Sequence, residues 1–390
     1  MKKTAKFFLA TALVMAVTSM AAFAQASSRA TAWTIRDDVD YATDYRYYKD
    51  ANVNNYLLST NISTYGLNLG FGKQFEKNYL GISYDGNLWG SHTTESVKNG
   101  DTKTTNHKEY DYYNYFTIFG GFSNMSLGLQ FNFGGNKEEI KWNTGKYEKT
   151  INVNPVLLLS GNFKGEKNTA KPYINFGYKY NETENENDNT FKKYNGFNVL
   201  LGSDFVSTKD KLYSIFNVNY NFDMNKNNKY NNITDKYTGA DKYINNTLAL
   251  SYKVNYTLND KIVIGGKFYA GNNFNFGKEL DDDDTETSSS FTYSLNPMLS
   301  AGLKYEISPS KFALLLGTRM QVSGVEVTTK ETKTNTKETN TTIEGFYSDF
   351  HCGFNWNLTD KVVLDLNSKL PTDGRSISDF TIDIGLSYRK

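Results

Sequence analysis

One cysteine, three histidines and five prolines in 390 residues remove several classes of protein at once. A single thiol, Cys352, cannot build an intramolecular disulfide framework. The histidines are His92, His107 and His351, and no HExxH, CxxC, GxSxG or P-loop spacing accompanies them. Glycine pairs such as Gly70 and Gly72 lie in an alternating apolar pattern, not in a dinucleotide-binding turn. The acidic run Asp281–Asp284 lacks the spaced ligands and central glycine of a calcium loop. No cofactor or metal is implied, and no enzyme activity is expected.

Charge of one sign is also missing. The chain carries 43 basic and 42 acidic residues. A concentrated basic face, which nucleic-acid binding requires, is not there.

Long apolar runs are confined to the N-terminus. Lys2, Lys3 and Lys6 precede an apolar stretch from Phe7 to Val17, which is too short to span a bilayer as a helix, and Ala22-Phe23-Ala24 follows. This is the pattern of a secretory signal, residues 1–24, cleaved after Ala24. Removing its three lysines leaves a net charge of about −2. Beyond it, the longest apolar runs, such as Pro155–Leu159 and Phe312–Leu316, are a few residues long, far below the roughly 20 of a membrane helix. That excludes a spanning helix but not a spanning strand, which shows lipid only every second residue.

Alternation is what the chain has instead. From Tyr243, residues Ile244, Leu248, Leu250, Tyr252, Val254 and Tyr256 share one parity, and Asn245, Thr247, Ser251, Lys253 and Asn255 share the other. A period of two over this length predicts a strand with one apolar and one polar face. A tight polar turn, Thr257 to Asp260, precedes a second alternating run, Ile262 to Ala270, so the pair reads as a hairpin. The unit recurs. TLNDKIVIGG from Thr257 reappears as NLTDKVVLDL from Asn357, with looser copies from Phe75, Ser207 and Ser308. Turn centres near 77, 124, 167, 209, 259, 309 and 359 repeat at about 42 to 50 residues.

Strands are predicted near 65–72, 80–88, 110–122, 125–134, 151–163, 171–180, 194–206, 212–222, 243–256, 261–272, 291–306, 311–327, 343–357, 361–370 and 379–388. A further candidate near 31–47 would bring the count to about sixteen, within a range of 14 to 16. Residues 25–62 are the least clear, with 56–62 read as a loop or an extension of the next strand. The connections alternate between short turns and long polar loops at Ser91–Glu109, Gly135–Thr150, Asn181–Lys193, Asp223–Lys242, Asn273–Ser290, Thr328–Thr342 and Pro371–Ser378. Pro155, Pro172 and Pro297 fall inside strand patterns, which implies bulges or positions near a rim. Aromatic residues make up 15% of the chain, and Tyr79, Trp89, Tyr110, Tyr112, Tyr180, Tyr220, Tyr256, Tyr305 and Trp356 gather at strand ends, where a membrane headgroup belt would lie.

The signal, the repeated hairpins, the loop asymmetry and the final strand SDFTIDIGLSYRK resemble porin-type outer-membrane β-barrels of diderm bacteria, over residues 25–390. One departure is that Tyr388 is followed by Arg389-Lys390, where such barrels commonly end on an aromatic residue. The resemblance implies a single all-β, antiparallel up-and-down transmembrane barrel in the outer membrane, with short periplasmic turns and long loops facing the exterior. It also implies contact with outer-membrane lipid and with the barrel-assembly machinery, and is compatible with a homo-oligomer. About sixteen strands enclose an aqueous channel, because the diameter outgrows what side chains fill. Parity then assigns Asp85, Asp204, Lys253, Lys267, Lys304, Arg319, Asp349, Asp365, Lys369 and Asp383 to the lumen. Asp349 and His351 share that face while Ser348 points away, so the pair reads as two lumen-lining polar groups. The expected function is passive diffusion of small hydrophilic solutes or ions. The alternative is a surface-exposed structural, adhesive or antigenic barrel without channel activity. A soluble propeller would need four short strands per repeat, and the pattern offers two long ones.

Overall fold

The structure is a computed structural model describing residues 46–47, 56–63, 66–76, 78–86, 91–99, 103–122, 124–140, 147–185, 190–231, 236–280, 286–322, 324–332, 337–343, 345–373 and 380–389. The signal segment, its cleavage site at Ala24 and most of the strand proposed for 31–47 lie outside these residues.

All regular structure among the described residues is β. In chain order the strands are β1 (Tyr56–Ser63), β2 (Gly66–Phe75), β3 (Asn78–Gly86), β4 (Ser91–Asn99), β5 (Lys103–Phe122), β6 (Met125–Ile140) and β7 (Tyr147–Gly161). There follow β8 (Phe163–Lys164), β9 (Asn168–Asn185), β10 (Thr190–Lys209), β11 (Leu212–Asn231), β12 (Lys236–Asn259), β13 (Ile262–Leu280) and β14 (Glu286–Ser308). The last are β15 (Phe312–Val322), β16 (Val325–Thr332), β17 (Lys337–Ile343), β18 (Phe346–Asn357), β19 (Val362–Pro371) and β20 (Thr381–Arg389). They form one sheet of 20 strands.

Twenty exceeds the expected sixteen, and the excess has a physical origin. Four segments prolong a neighbour along a ladder that is already formed: β4 follows β3 on β5, and β8 follows β7 on β9. Likewise β16 follows β15 on β14, and β17 precedes β18 on the partner of β15 and β16. Between β15 and β16 the register on β14 moves from Met298↔Gln321 to Leu295↔Val325, one extra residue on the partner side. Gly324 takes φ of 78° there, a bulge conformation that a side chain would strain. The other members pair antiparallel in chain order from β1 to β20, and β20 pairs with β1 through Leu57↔Arg389 to Ser63↔Asp383.

The first described strand lies in the segment read as a loop or an extension of the next strand. It is Tyr56–Ser63, held between β2 and β20, while Arg46 and Tyr47 form a turn. The ladder partners on both sides are remote or follow in sequence, so local alternation does not reveal them.

Most of the expected long loops are strand. β12 runs for 24 residues and β14 for 23, and the connection from β11 to β12 shrinks to residues 232–235. Segments 91–99 and 103–109 pair as a hairpin, as do β16 and β17. Where both faces of a hairpin meet water, no apolar alternation is needed. Thr, Tyr, Val and Asn continue the backbone ladder without writing a period-two signal.

The short turns have a common chemistry. Asn259 Oδ1 accepts from the backbone N–H groups of Lys261 and Ile262 at 2.9 and 3.0 Å. One hundred residues on, Thr359 Oγ1 accepts from Lys361 and Val362 at 3.1 and 3.0 Å. Each side chain imitates a turn carbonyl, which is why Asn and Thr interchange in the repeated motif. Neighbouring turns are tied at a regular stagger, with Thr257, Glu306 and Asn357 N–H donating to the carbonyls of Lys211, Lys261 and Lys311.

Prolines sit where ladders lapse. The β7–β9 pairing passes from Val153↔Tyr180 to Val156↔Gly177, omitting Asn154 and Pro155. Pro172 lies one residue beyond the end of that ladder at Ser160↔Tyr173. Pro297 falls in the gap between the β15 and β16 pairings of β14. The missing N–H therefore points to a site without a ladder partner, and no bulge is needed at Pro155 or Pro172.

The two faces of the sheet differ in the sense opposite to a water-soluble protein. Leu299 is 59% exposed while its neighbour Ser300 is 3% exposed. Phe71, Ile82, Leu129, Phe176, Phe205, Phe268 and Ile384 are exposed, while Asp349, His351, Lys171 and Asn367 are almost wholly buried. Along β13 the exposed side carries Ile264, Phe268 and Phe276. Twelve residue steps at about 3.3 Å and the usual 45° tilt cover about 28 Å, near the height of a bilayer's apolar band. Tyr220, Tyr256, Tyr305 and Trp356 are exposed on this apolar side. Tyr79 is not. It is 5% exposed and lies on the polar side over Gly121, its ladder partner, with its hydroxyl donating to Ser126 Oγ at 2.5 Å. The absent side chain of Gly121 makes the space. The side chains of Trp89, Tyr110 and Tyr112 lie outside the described residues.

Candidate functional site

The polar face holds two charged clusters, each assembled by ladder register. The first stands on β9 to β13. Lys171 opposes Asp204, Asp204 opposes Asn217, and Asn217 opposes Ser251. Cross-strand neighbours on one face lie within side-chain reach, so the row forms a continuous polar wall. Against it sit Arg46 and Tyr47, more than a hundred residues away in sequence. Tyr47 Oη donates to Asp204 Oδ2 at 2.6 Å, and Arg46 Nη1 contacts the same oxygen at 3.2 Å. Asn217 Nδ2 donates to Asp204 Oδ1, and also to Tyr173 Oη at 3.2 Å. Lys171 Nζ donates to the Arg46 carbonyl at 3.0 Å and stands 4.2 Å from the centre of the Tyr47 ring. The Arg46 guanidinium lies 4.6 Å from the Tyr173 ring centre, within cation–π range.

Asp204 is 4% exposed and Lys171 is 1% exposed. Buried charges persist only when paired and hydrogen-bonded, and here one carboxylate receives a guanidinium, a phenol and an amide. Beside the cluster is a cavity of about 280 Å³, reached by Lys253, Lys267, Tyr269 and Asn219.

The second cluster stands on β14 to β19 and is joined to the first by a row that starts on β12. Lys253, Lys267, Ser300, Arg319 and Asp349 are successive ladder partners across five strands. Arg319 Nη2 donates to Asp349 Oδ2 in an ion pair whose carboxylate is fully buried. His351 opposes Lys369 in the ladder, and neither of its ring nitrogens has a hydrogen-bond partner. The Asp349 carboxylate is therefore turned to Arg319, and no relay joins Asp349 to His351. Asn355 Nδ2 donates to Asp365 Oδ1 at 2.7 Å.

The residues that alternation assigned to the polar side are placed as follows. Asp85 shares the side of Tyr79, Gly81 and Ser83, but lies on β3, away from both clusters. Lys304 pairs with Glu306 at 3.2 Å near the short turns. Asp204, Lys253 and Lys267 meet around the cavity. Arg319 and Asp349 meet directly, with Lys369 across the ladder from His351. Asp383 opposes Asn367 on β20, and its side chain lies outside the described residues. Lys171, Tyr173 and Asn217 belong to the same parity and were accessible to the same rule. Arg46 and Tyr47 were not, because no local pattern announces a contact across 157 residues.

The chain matches no protein-family model and no curated protein. Among solved structures it is similar to CdiB from Acinetobacter baumannii, with 11% identity and a TM-score of 0.47, over 86% of this chain and 60% of that one. CdiB from Escherichia coli gives 9% identity and a TM-score of 0.47, over 85% and 62%. The translocator domain of the autotransporter NalP from Neisseria meningitidis gives 11% and 0.34, over 69% and 90%. The chain thus spans about three fifths of the length of the two CdiB proteins.

Proposed function

We propose that this chain is an outer-membrane channel for small hydrophilic solutes or ions, built as a single barrel closed between β1 and β20. The observation that carries the reading is the reversed polarity of the sheet. Large apolar side chains such as Leu299 face outward exposed, while Asp204, Lys253, Arg319 and Asp349 line the other face. Only a lipid solvent outside and a polar interior make that arrangement stable. The β1–β20 pairing supports closure, since it leaves neither terminal strand with an open edge. The short turns stand in the periplasm and the long hairpins outside, and residues 1–24 are the export signal. The mixed charges act on passing ions as a transverse field.

The test is conductance of the detergent-extracted, heat-modifiable protein in a planar bilayer. Stepwise channels support the reading; a soluble protein, or a folded barrel that never conducts, removes it. The length of the exterior hairpins, with strands of up to 24 residues, favours a second role in surface contact. That role would survive loss of conductance.

A further inference from the structure

We propose that the cavity on β9 to β13 is a binding site for a small phosphomonoester of monosaccharide size. It names the class of solute for the channel proposed above and rests on that reading for its place in a lumen.

Charge is the first support. Arg46, Lys253 and Lys267 line the cavity against a single carboxylate, Asp204. That carboxylate is already engaged, with Oδ2 accepting from Tyr47 and Arg46 and Oδ1 from Asn217. Three cations against one carboxylate leave the lining with an excess of positive charge. Register concentrates it. Lys253 and Lys267 are direct ladder partners on β12 and β13, and Lys253 is 6% exposed. Like charges directly opposite destabilise a ladder, and a buried ammonium is costly away from an anion. A phosphomonoester brings about −1.5 to −2 at pH 7, which offsets both lysines. A carboxylate offsets one of them, and a neutral sugar neither.

The second support is an unfilled hydrogen-bonding group in the same row. Ser300 is the other ladder partner of Lys267 and shares its face. It is 3% exposed, and its Oγ has no hydrogen-bond partner. A buried hydroxyl in that state costs free energy until an acceptor or donor meets it. Cross-strand neighbours on one face stand about 5 Å apart, so an anion held at Lys267 brings an acceptor within reach of that hydroxyl. Beyond Ser300 the row continues to Arg319, which is paired with Asp349.

Shape is the third. The cavity measures about 280 Å³, near the lower end of the roughly 300–1,000 Å³ of small-molecule sites. A bare phosphate leaves most of that space empty, whereas a monosaccharide phosphate suits it. Tyr173 and Tyr269 border the cavity with rings that are apolar in body and polar at the tip. Asn219 and Ser251 add amide and hydroxyl groups of the kind that bond sugar hydroxyls. The Tyr269 hydroxyl lies over Gly271, where a side chain would collide with it.

The experiment uses the full-length protein, with folding read by heat-modifiable migration. In detergent, calorimetric titration should show glucose 6-phosphate binding about tenfold tighter than inorganic phosphate or gluconate, the worth of one good contact, and glucose not binding. In planar bilayers the same glucose 6-phosphate should interrupt the ion current. Lys253→Gln/Lys267→Gln should weaken its binding about 100-fold, the loss of two charge-assisted hydrogen bonds. Tyr269→Leu should weaken glucose 6-phosphate while leaving inorganic phosphate as it was. The comparison of probes on the wild-type protein decides the matter even where a variant fails to fold. Equal affinity for glucose 6-phosphate and inorganic phosphate overturns the proposal, as does wild-type affinity in a folded double-lysine variant. A protein that conducts but binds no glucose 6-phosphate removes the site and leaves the channel. A folded protein that binds it selectively and never conducts supports the site and removes the channel.

Discussion

Arg319 on β15 and Asp349 on β18 stand directly opposite in the ladder and form an ion pair in which the carboxylate is fully buried. The register alone brings them together. A one-residue slip of either strand would turn one of the two charges toward the apolar face. The pair therefore records the register as well as stabilising it.

Removing one partner tests this. Arg319→Met leaves Asp349 buried without its cation and should cost about 3–5 kcal/mol in urea unfolding from lipid vesicles. Arg319→Met/Asp349→Leu should recover most of the loss, because two apolar groups need no desolvated charge. A single variant as stable as wild type would show that the pair contributes nothing to the folded state.

The facing of β14 is tested by adjacent positions. Leu299 lies midway between Phe291 and Ile307 on the apolar side, so Leu299→Arg should destabilise the barrel by about 2–4 kcal/mol. Ser300 is flanked in the ladder by Lys267 and Arg319. A second arginine there would meet like charge, so Ser300→Asp is the informative change. It should leave the urea midpoint near that of wild type and move the reversal potential in a salt gradient toward cations. Equal effects at the two positions would mean that the faces are misassigned.

Turn chemistry is tested at Asn259 and Thr359. Asn259→Ala and Thr359→Val each lose a side-chain acceptor shared by two backbone N–H groups, and each should cost about 1 kcal/mol. Thr359→Ser keeps the oxygen and should match wild type. Equal losses for Val and Ser at 359 would point to packing of the methyl group instead.

Topology is tested by protease added to whole cells. Connections 141–146, 186–189, 281–285 and 333–336 should be cut, while the turns at Asp210–Lys211 and Asp260–Lys261 should survive. Cleavage confined to the short turns would invert the orientation in the membrane.

Local alternation determined a great deal here. Every strand expected from Tyr65 onward is present, because a strand with apolar and polar surroundings must write its period of two into the chain. The same parity placed Asp204, Lys253, Lys267, Arg319, Asp349 and Asp365 on the polar face, since side chains on a strand have only two directions to take. Turn positions were legible for a related reason, as Asn259 and Thr359 must supply an acceptor wherever the backbone reverses.

Tertiary structure decided what no period can carry. Strand ends moved outward by up to nine residues, as in β11, because backbone hydrogen bonds continue a ladder past the point where the apolar alternation stops. Tyr56–Ser63, read as a loop or an extension of the next strand, is a strand of its own, because its partners β2 and β20 come from both ends of the chain. Tyr79 finds room on the polar face because Gly121, which it meets only across a ladder, has no side chain. Above all, Arg46 and Tyr47 meet Asp204 and Lys171 across more than a hundred residues. That contact is set by the order of strand pairing and not by any local sequence signal.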